Sequence, residues 1–163
     1  MLSIKHATAN HIPLIRELTM QVWPQTYTPI LGEEQVAYML EQFYAPASLE
    51  KQMNTHTFII CYNDGMPLGF ASLSEVEAHI FKLHKIYILP GLQGKGVGKF
   101  MLSHIVQEIK AKGATALRLN VNRYNQTAKA FYERTGFKHV LDEDIDIGNG
   151  YFMNDHVLQL GID

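Results

Sequence analysis

The stretch from Leu83 to Met101 constrains this 163-residue chain most, because it turns a predicted strand into a predicted helix within a few residues. Residues 94–99 at that corner read Gly-Lys-Gly-Val-Gly-Lys. Glycine has no Cβ to hold an anion away from the main chain, and the first N–H groups of a helix lack an intrahelical acceptor. The corner therefore predicts a phosphate-binding loop, to which Lys95 and Lys99 add positive charge.

The helix after this corner is predicted over Val97–Lys112, where Gly113 supplies a stop signal. Its apolar residues recur at the spacing of one helix face. They are Val97, Phe100, Met101, Ile105 and Ile109.

Two familiar phosphate motifs do not fit the corner. A Walker A loop needs Lys directly after its second glycine, but the pair Gly91 and Gly96 is followed by Val97. A dinucleotide fingerprint needs a third glycine three residues after the second, and the two ways of counting end at Lys99 or Met101. The pattern that fits is Gln-x-x-Gly-x-Gly over residues 93–98. A glycine-rich turn without a ligand remains the alternative for the loop alone.

Composition favours one folded domain, 1–163, because 47% hydrophobic and 18% charged residues suffice for a single core. The net charge of -2 does not favour binding to nucleic acid, which basic proteins prefer. No apolar run reaches the roughly 20 residues that span a bilayer. The start of the chain lacks a signal-peptide pattern, and one cysteine, Cys61, excludes an internal disulfide framework. We therefore expect a cytoplasmic protein with no nucleic-acid or membrane partner.

The first third of the chain reads as a short strand followed by helices. The expected order is a strand over Leu2–Ala7, a helix capped by Thr8 or Asn10 and ended by Trp23-Pro24, a loop over Gln25–Leu31, a helix over Glu33–Tyr44, and further helical turns over Ser48–Met53.

The remainder alternates between strands and helices. Strands are predicted over Thr57–Tyr62, Pro67–Val76, His79–Leu89, Leu117–Val121, Lys138–Ile147 and Tyr151–Leu160, with tight turns at residues 63–65 and 148–150 and a short helix from Asn125 to Gly136. Hairpins at both ends and one β-α-β crossover predict an α/β (α+β) fold, whose mixed, mostly antiparallel sheet of about seven strands carries helices on both faces.

A second motif follows the loop at residues 125–137 and reads Asn-x-x-Ala-x-x-x-Tyr-Glu-Arg-x-Gly-Phe. Together with the loop motif, it resembles the GCN5-related N-acetyltransferase (GNAT) family, which binds acetyl-coenzyme A at such a loop. The resemblance covers roughly Thr57 to Leu160. Residues 23–53 look more similar to bacterial polyamine-type acetyltransferases than to ribosomal-protein ones.

The resemblance implies a cofactor site made largely of main chain. The strand before the loop would bond the pantetheine, the loop would hold the pyrophosphate, and the capping asparagine would contact the cofactor or act as a plain N-cap. The residues so implied are Ile86, Tyr87, Ile88, Gln93, Gly94, Lys95, Gly96, Val97, Gly98, Lys99 and Asn125.

The chemistry needs an uncharged amine to attack the thioester and a proton donor for the departing thiolate. Tyr132 matches the family's usual donor, since a phenol with a pKa near 10 stays protonated at neutral pH. His84, with an ordinary pKa of about 6.5, is the candidate base, and deprotonation through ordered water is the alternative. Neither His139 nor His156 has a spacing typical of zinc ligands, so no metal site is predicted.

The expected activity is transfer of the acetyl group of acetyl-CoA to a primary amine by direct attack in a ternary complex. Tyr27, Glu75 and Tyr151 are candidates for the acceptor site, and acidic residues such as Glu33 favour a small cationic amine such as a polyamine. A protein or peptide N-acetyltransferase and a noncatalytic acyl-CoA sensor are the alternatives. The sequence leaves a homodimer open.

Overall fold

The computed structural model describes residues 1–92 and 94–163, and Gln93 lies outside the described residues. The described parts of the chain contain seven strands, five α-helices and a 3-10 turn at Ala9–His11. The strands are β1 (Leu2–His6), β2 (Thr57–Asn63), β3 (Met66–Glu77), β4 (Ile80–Ile88), β5 (Ala116–Asn122), β6 (Lys138–Gly148) and β7 (Tyr151–Gly161). The helices are α1 (Ile12–Leu31), α2 (Glu33–Tyr44), α3 (Pro46–Met53), α4 (Val97–Ala111) and α5 (Gln126–Arg134).

The strands form one mixed sheet in the order β1-β2-β3-β4-β5-β7-β6. β4 and β5 are parallel and are joined through α4, which is the single crossover that the sequence predicts. The pairs β1–β2, β2–β3, β5–β7 and β6–β7 are antiparallel. The predicted α/β class with a mostly antiparallel sheet is thus confirmed.

Both predicted tight turns are present, and their backbone angles explain the residues used there. Asp64 and Gly65 have φ values of 50° and 87° between β2 and β3. Gly148, Asn149 and Gly150 have φ values of 90°, 56° and 79° between β6 and β7. Positive φ is readily adopted by glycine and tolerated by Asn and Asp, so the turn chemistry fixes where each hairpin reverses.

The prediction of a loop over residues 25–31 is wrong. Helix α1 continues to Leu31 and contains both Pro24 and Pro29. An interior proline removes one helical hydrogen bond and costs roughly 3 kcal/mol. That cost is offset by burial of the preceding turn, where Trp23 is only 4% exposed, and by the ring of Tyr27 one turn later. The helix ends instead at Gly32, whose φ is 85° and whose N–H donates to the carbonyl of Thr28.

The chain divides into two compact units by its internal contacts. The first comprises Met1–Ser74 and Lys85–Ile105, and its most buried side chains include Ile15, Leu49, Phe58, Phe70 and Met101. The second comprises Glu75–His84 and Val106–Asp163, and its most buried side chains include Ile109, Leu117, Leu119 and Leu158. Each unit therefore has its own apolar core. Among the described residues, no helix combines the length and apolarity needed to cross a membrane.

Candidate active site

The predicted phosphate corner lies at the N-terminus of α4. Gly94 and Gly96 have φ values of 78° and 80°, in the region that other residues avoid, and a Cβ built on either one would have open space around it. The first helical bond is donated by Phe100 N to Gly96 O at 3.0 Å, so the N–H groups of residues 97–99 precede any intrahelical acceptor. No acidic side chain occupies this described first turn. The corner is open, electropositive and lined by main-chain donors, and it therefore fits a pyrophosphate.

The main chain before the corner is held by close approach to β3. A Cβ added to Gly69 would lie 2.4 Å from the carbonyl oxygen of Tyr87, so only glycine fits there. One step further, Leu89 N donates to Leu68 O at 2.8 Å. The β4–β5 ladder covers Ile80 to Leu83, whereas β4 continues to Ile88. The strand end that the resemblance gives to the pantetheine, residues 86–88, therefore lies beyond the described ladder.

Asn125 has the local structural role that the sequence allowed. It is the N-cap of α5, and its Oδ1 accepts a hydrogen bond from Ala128 N at 3.3 Å. The N-cap role itself is confirmed. A contact with the cofactor remains a prediction.

Tyr132 packs against Phe131 and against Phe137, the last residue of its motif. Its side chain is 9% exposed, and its ring centroid lies 5.4 Å from that of Phe131 and 5.6 Å from that of Phe137. The chain reverses at Gly136, where φ is 107°, and Phe137 N then donates to Tyr132 O at 3.1 Å. Phe137 therefore both packs against the ring of Tyr132 and bonds the main chain of that residue, whereas the catalytic role of Tyr132 remains a prediction.

An aromatic cluster in the first unit adjoins the strand that precedes the loop. Trp23 lies at its centre, with ring centroids 4.6 Å from Tyr27, 5.4 Å from Tyr44 and 5.9 Å from Tyr87. The hydroxyl oxygens of Tyr27 and Tyr87 are 3.5 Å apart. Tyr87, which the resemblance assigns to the pantetheine strand, is thus also a member of this cluster. Trp23 itself is 4% exposed and packs in the core.

Sequence reasoning missed Tyr44 and Lys85, which complete this cluster. The Lys85 ammonium lies 4.6 Å from the centroid of the Tyr44 ring, and burial lowers the pKa of Lys85 to about 8. Burial also raises the pKa of Tyr44, so this phenol stays neutral. The alternation of residues along β4 was a signal for Lys85. Side chains at every second position of a strand share a face, so Lys85 lies on the same face as Phe81 and Leu83, which are buried.

The remaining predicted site residues take various positions. His84 is half-buried in β4. Glu75 Oε2 accepts a hydrogen bond from His79 N at 2.9 Å and thereby closes the β3–β4 turn. Tyr151 is the first residue of β7 and pairs with Gly148. Cys61 is fully buried in β2, and burial raises the pKa of its thiol, so this side chain serves packing.

Comparison with solved structures identifies a matching fold. The crystal structure of PaiA N-acetyltransferase from Thermoplasma acidophilum, in complex with coenzyme A, superposes with a TM-score of 0.83 at 24% identity and covers 99% of both chains. The two proteins therefore share their architecture along the whole length of this chain.

Sequence comparison gives relatives that act on different acceptors, of which two bear on the acceptor of this chain. Spermidine N(1)-acetyltransferase of Thermoplasma acidophilum is 27% identical over 93% of this chain and 95% of the relative. The ribosomal protein bS18 alanine N-acetyltransferase of Haemophilus influenzae is 37% identical over 52% of this chain and 53% of the relative. The sequence profile of the Acetyltransferase (GNAT) family matches residues 14–137, which contain the loop and the whole second motif. The chain therefore belongs to the GCN5-related N-acetyltransferase family, and it is an N-acetyltransferase that uses acetyl-CoA as its donor.

Proposed function

We propose that this enzyme acetylates a small cationic primary amine of the polyamine type. The observation that carries the proposal is the aromatic cluster beside β4, in which Tyr44 already holds one ammonium group, that of Lys85, over its ring face. Ring faces attract ammonium groups, and the attraction strengthens as water is excluded. Trp23 and Tyr44 are each 4% exposed, whereas Tyr27 and Tyr87 are half-buried, so the latter two are the aromatic residues of the cluster that a ligand can reach.

The comparisons support this choice. The spermidine acetyltransferase aligns with 93% of this chain, including the helices that carry Trp23, Tyr27 and Tyr44, whereas the bS18 alanine acetyltransferase aligns with 52%. The acceptor preference of a family member depends on residues outside the shared cofactor loop. A relative that aligns along almost the whole chain is therefore the better guide to the acceptor.

In the proposed reaction, acetyl-CoA supplies an acetyl thioester, and the chain supplies binding and proton transfer. The donors from residues 94–99 hold the pyrophosphate, and the main chain of residues 86–88 holds the pantetheine. We propose that the Tyr132 hydroxyl donates its proton to the departing thiolate sulfur. The attacking amine loses a proton to His84 or through ordered water, and both routes remain predictions. Glu75, Tyr151 and the acidic start of α2, Glu33, remain candidates for attracting the cationic acceptor.

A thiol-release assay with a panel of acceptors at equal concentration tests the proposal. The panel should contain spermidine, a lysine-like amine, an amino acid, an aminoglycoside and a peptide with a free N-terminus. We expect kcat/KM for spermidine or another small diamine to exceed that for the peptide. A peptide that is acetylated orders of magnitude faster than every small amine would overturn the proposal.

Acetylation of a protein N-terminus is the second candidate, and the 37% identity with the bS18 alanine N-acetyltransferase favours it. The peptide of the panel should therefore begin with alanine. We further propose that the whole chain acts as one catalytic domain in the cytoplasm, where acetyl-CoA is available and a buried thiol such as Cys61 stays reduced.

A further inference from the structure

Three side chains of the second unit converge on the β6–β7 hairpin, away from every motif discussed above. His139 Nε2 and His156 Nδ1 both lie 2.6 Å from the same oxygen of Asp142, Oδ1. The two imidazole rings are nearly perpendicular, with centroids 5.0 Å apart. Within residues 1–92 and 94–163, this is the one group of three or more His, Cys, Asp or Glu residues whose ligand atoms all lie within 4.8 Å of one another.

A β-bulge produces this convergence. His139 pairs with Leu158 and Leu141 with Val157, so Val140 is an extra residue in β6. In an unbroken strand, residues 139 and 142 would point to opposite faces, because their separation is odd. The inserted residue reverses that parity. Asp142 then stands directly opposite His156, and His139 reaches the same face.

We propose that His139, Asp142 and His156 form a binding site for a borderline divalent cation such as Zn²⁺, which would fasten β6 to β7. Two imidazole nitrogens and one carboxylate oxygen form a donor set that Zn²⁺ accepts, and water can fill the fourth position. Sequence analysis predicted no metal site because one ligand lies across the hairpin and the other two are separated by the bulge.

The geometry needs only a small adjustment to accept the ion. Around a tetrahedral Zn²⁺ with ligand bonds of about 2.0 to 2.1 Å, neighbouring ligand atoms lie about 3.3 Å apart. The two 2.6 Å contacts must therefore open by about 0.7 Å, and each histidine must present a lone pair at the nitrogen that now faces Asp142. Two of the side chains, His139 and Asp142, are 44% and 46% exposed, so they can move without repacking the core.

Calorimetric titration of chelator-treated protein with ZnCl₂ tests the site, with CoCl₂ as a second probe, because tetrahedral Co²⁺ has a distinct visible spectrum. We expect one saturable Zn²⁺ per chain, and a rise in Tm of about 5 °C or more when free Zn²⁺ reaches 100 times the dissociation constant. His139→Gln and Asp142→Asn should each weaken binding at least about tenfold. Nearly half of each side chain is exposed to solvent, so these variants should fold.

His104→Gln is the matched control, because His104 is a half-buried histidine of α4 outside the cluster. We expect it to bind Zn²⁺ as the wild type does. The proposal would be overturned by an absence of saturable binding to folded wild-type protein, or by cluster variants that bind as tightly as the wild type. An equal loss of Zn²⁺ affinity in His104→Gln and His139→Gln would also overturn the proposal, because it would indicate nonspecific binding to histidines.

Discussion

The cofactor corner and the aromatic cluster both lie in the first unit, yet they depend on different parts of the chain. The corner is a run of neighbouring residues, in which glycines supply the positive φ values and the start of α4 supplies main-chain donors. The cluster joins side chains from α1, α2 and β4 that are far apart in sequence. We therefore expect cofactor binding at the corner to depend on backbone conformation and little on side chains. Acceptor binding at the cluster should depend on the side chains.

The largest expected effect is that of Gly96→Val on the corner. A β-branched residue resists a φ of 80°, so the loop should shift and lose hydrogen bonds to the charged pyrophosphate. We expect the affinity for coenzyme A to fall about 100-fold in calorimetry, since each charged hydrogen bond contributes about 1.5 to 3 kcal/mol.

Gly65→Val is the control, because Gly65 has a similar φ of 87° and equally open surroundings in the β2–β3 turn. Both variants should lose about 1 to 2 kcal/mol of stability through backbone strain. Only the change at Gly96 should affect the cofactor. Normal affinity in Gly96→Val would remove the pyrophosphate from this corner.

Tyr132→Phe tests a side chain within the motif at residues 125–137, in contrast to the backbone change at Gly96. The ring and its packing against Phe137 are kept, and only the proton donor is lost. We expect kcat to fall about 100-fold while the affinity for acetyl-CoA is unchanged. Tyr124→Phe, at an exposed tyrosine, is the control. Unchanged single-turnover rates would exclude Tyr132 as the donor.

Tyr27→Ala tests whether the cluster binds the acceptor. Removing an aromatic wall from a partly desolvated ammonium site costs about 1 kcal/mol or more, so KM for the cationic amine should rise roughly five- to tenfold. The affinity for coenzyme A should stay normal, unlike in Gly96→Val. Tyr27→Phe keeps the ring and should retain most of the binding. If KM rises equally in both variants, the hydroxyl near Tyr87 is responsible and the ring is not.

The last expected effect is on stability and leaves the cofactor corner untouched. Below about pH 8, folded Lys85 carries a desolvated charge that the unfolded chain leaves in water, and this penalty disappears as the pH rises from about 8 toward 10.5. Lys85→Met should therefore stabilise the protein at pH 7 by about 1 to 2 kcal/mol, after subtraction of the lost contact with Tyr44. The gain should shrink by pH 10 in denaturant titrations.

Lys5→Met is the control for this variant, because Lys5 also lies over an aromatic ring, that of Tyr62 at 5.7 Å, but is exposed. It should change stability little at either pH. A gain in Lys85→Met that stays constant from pH 7 to pH 10 would contradict desolvation as its cause.

Much of the fold was predictable because its signals are local. The tight turn at residues 63–65, the helix over Glu33–Tyr44 and the cap at Asn125 all follow from neighbouring residues, and the structure contains each of them. The end of α1 was not predictable by the same logic. A proline penalises a helix locally, but buried Trp23 outweighs that penalty through contacts with residues elsewhere in the chain.

By itself, the sequence determined the family, the glycine corner and the tyrosine motif, because the backbone angles and hydrogen bonds there are set by residues adjacent in the chain. Only the tertiary structure decided which side chains meet Lys85 and Tyr44, and which face of β6 carries His139. These contacts depend on the strand register, on one β-bulge and on the packing of segments that are distant in sequence. A pattern of residues along the chain does not reveal these contacts, because each contact joins two residues that only folding brings together.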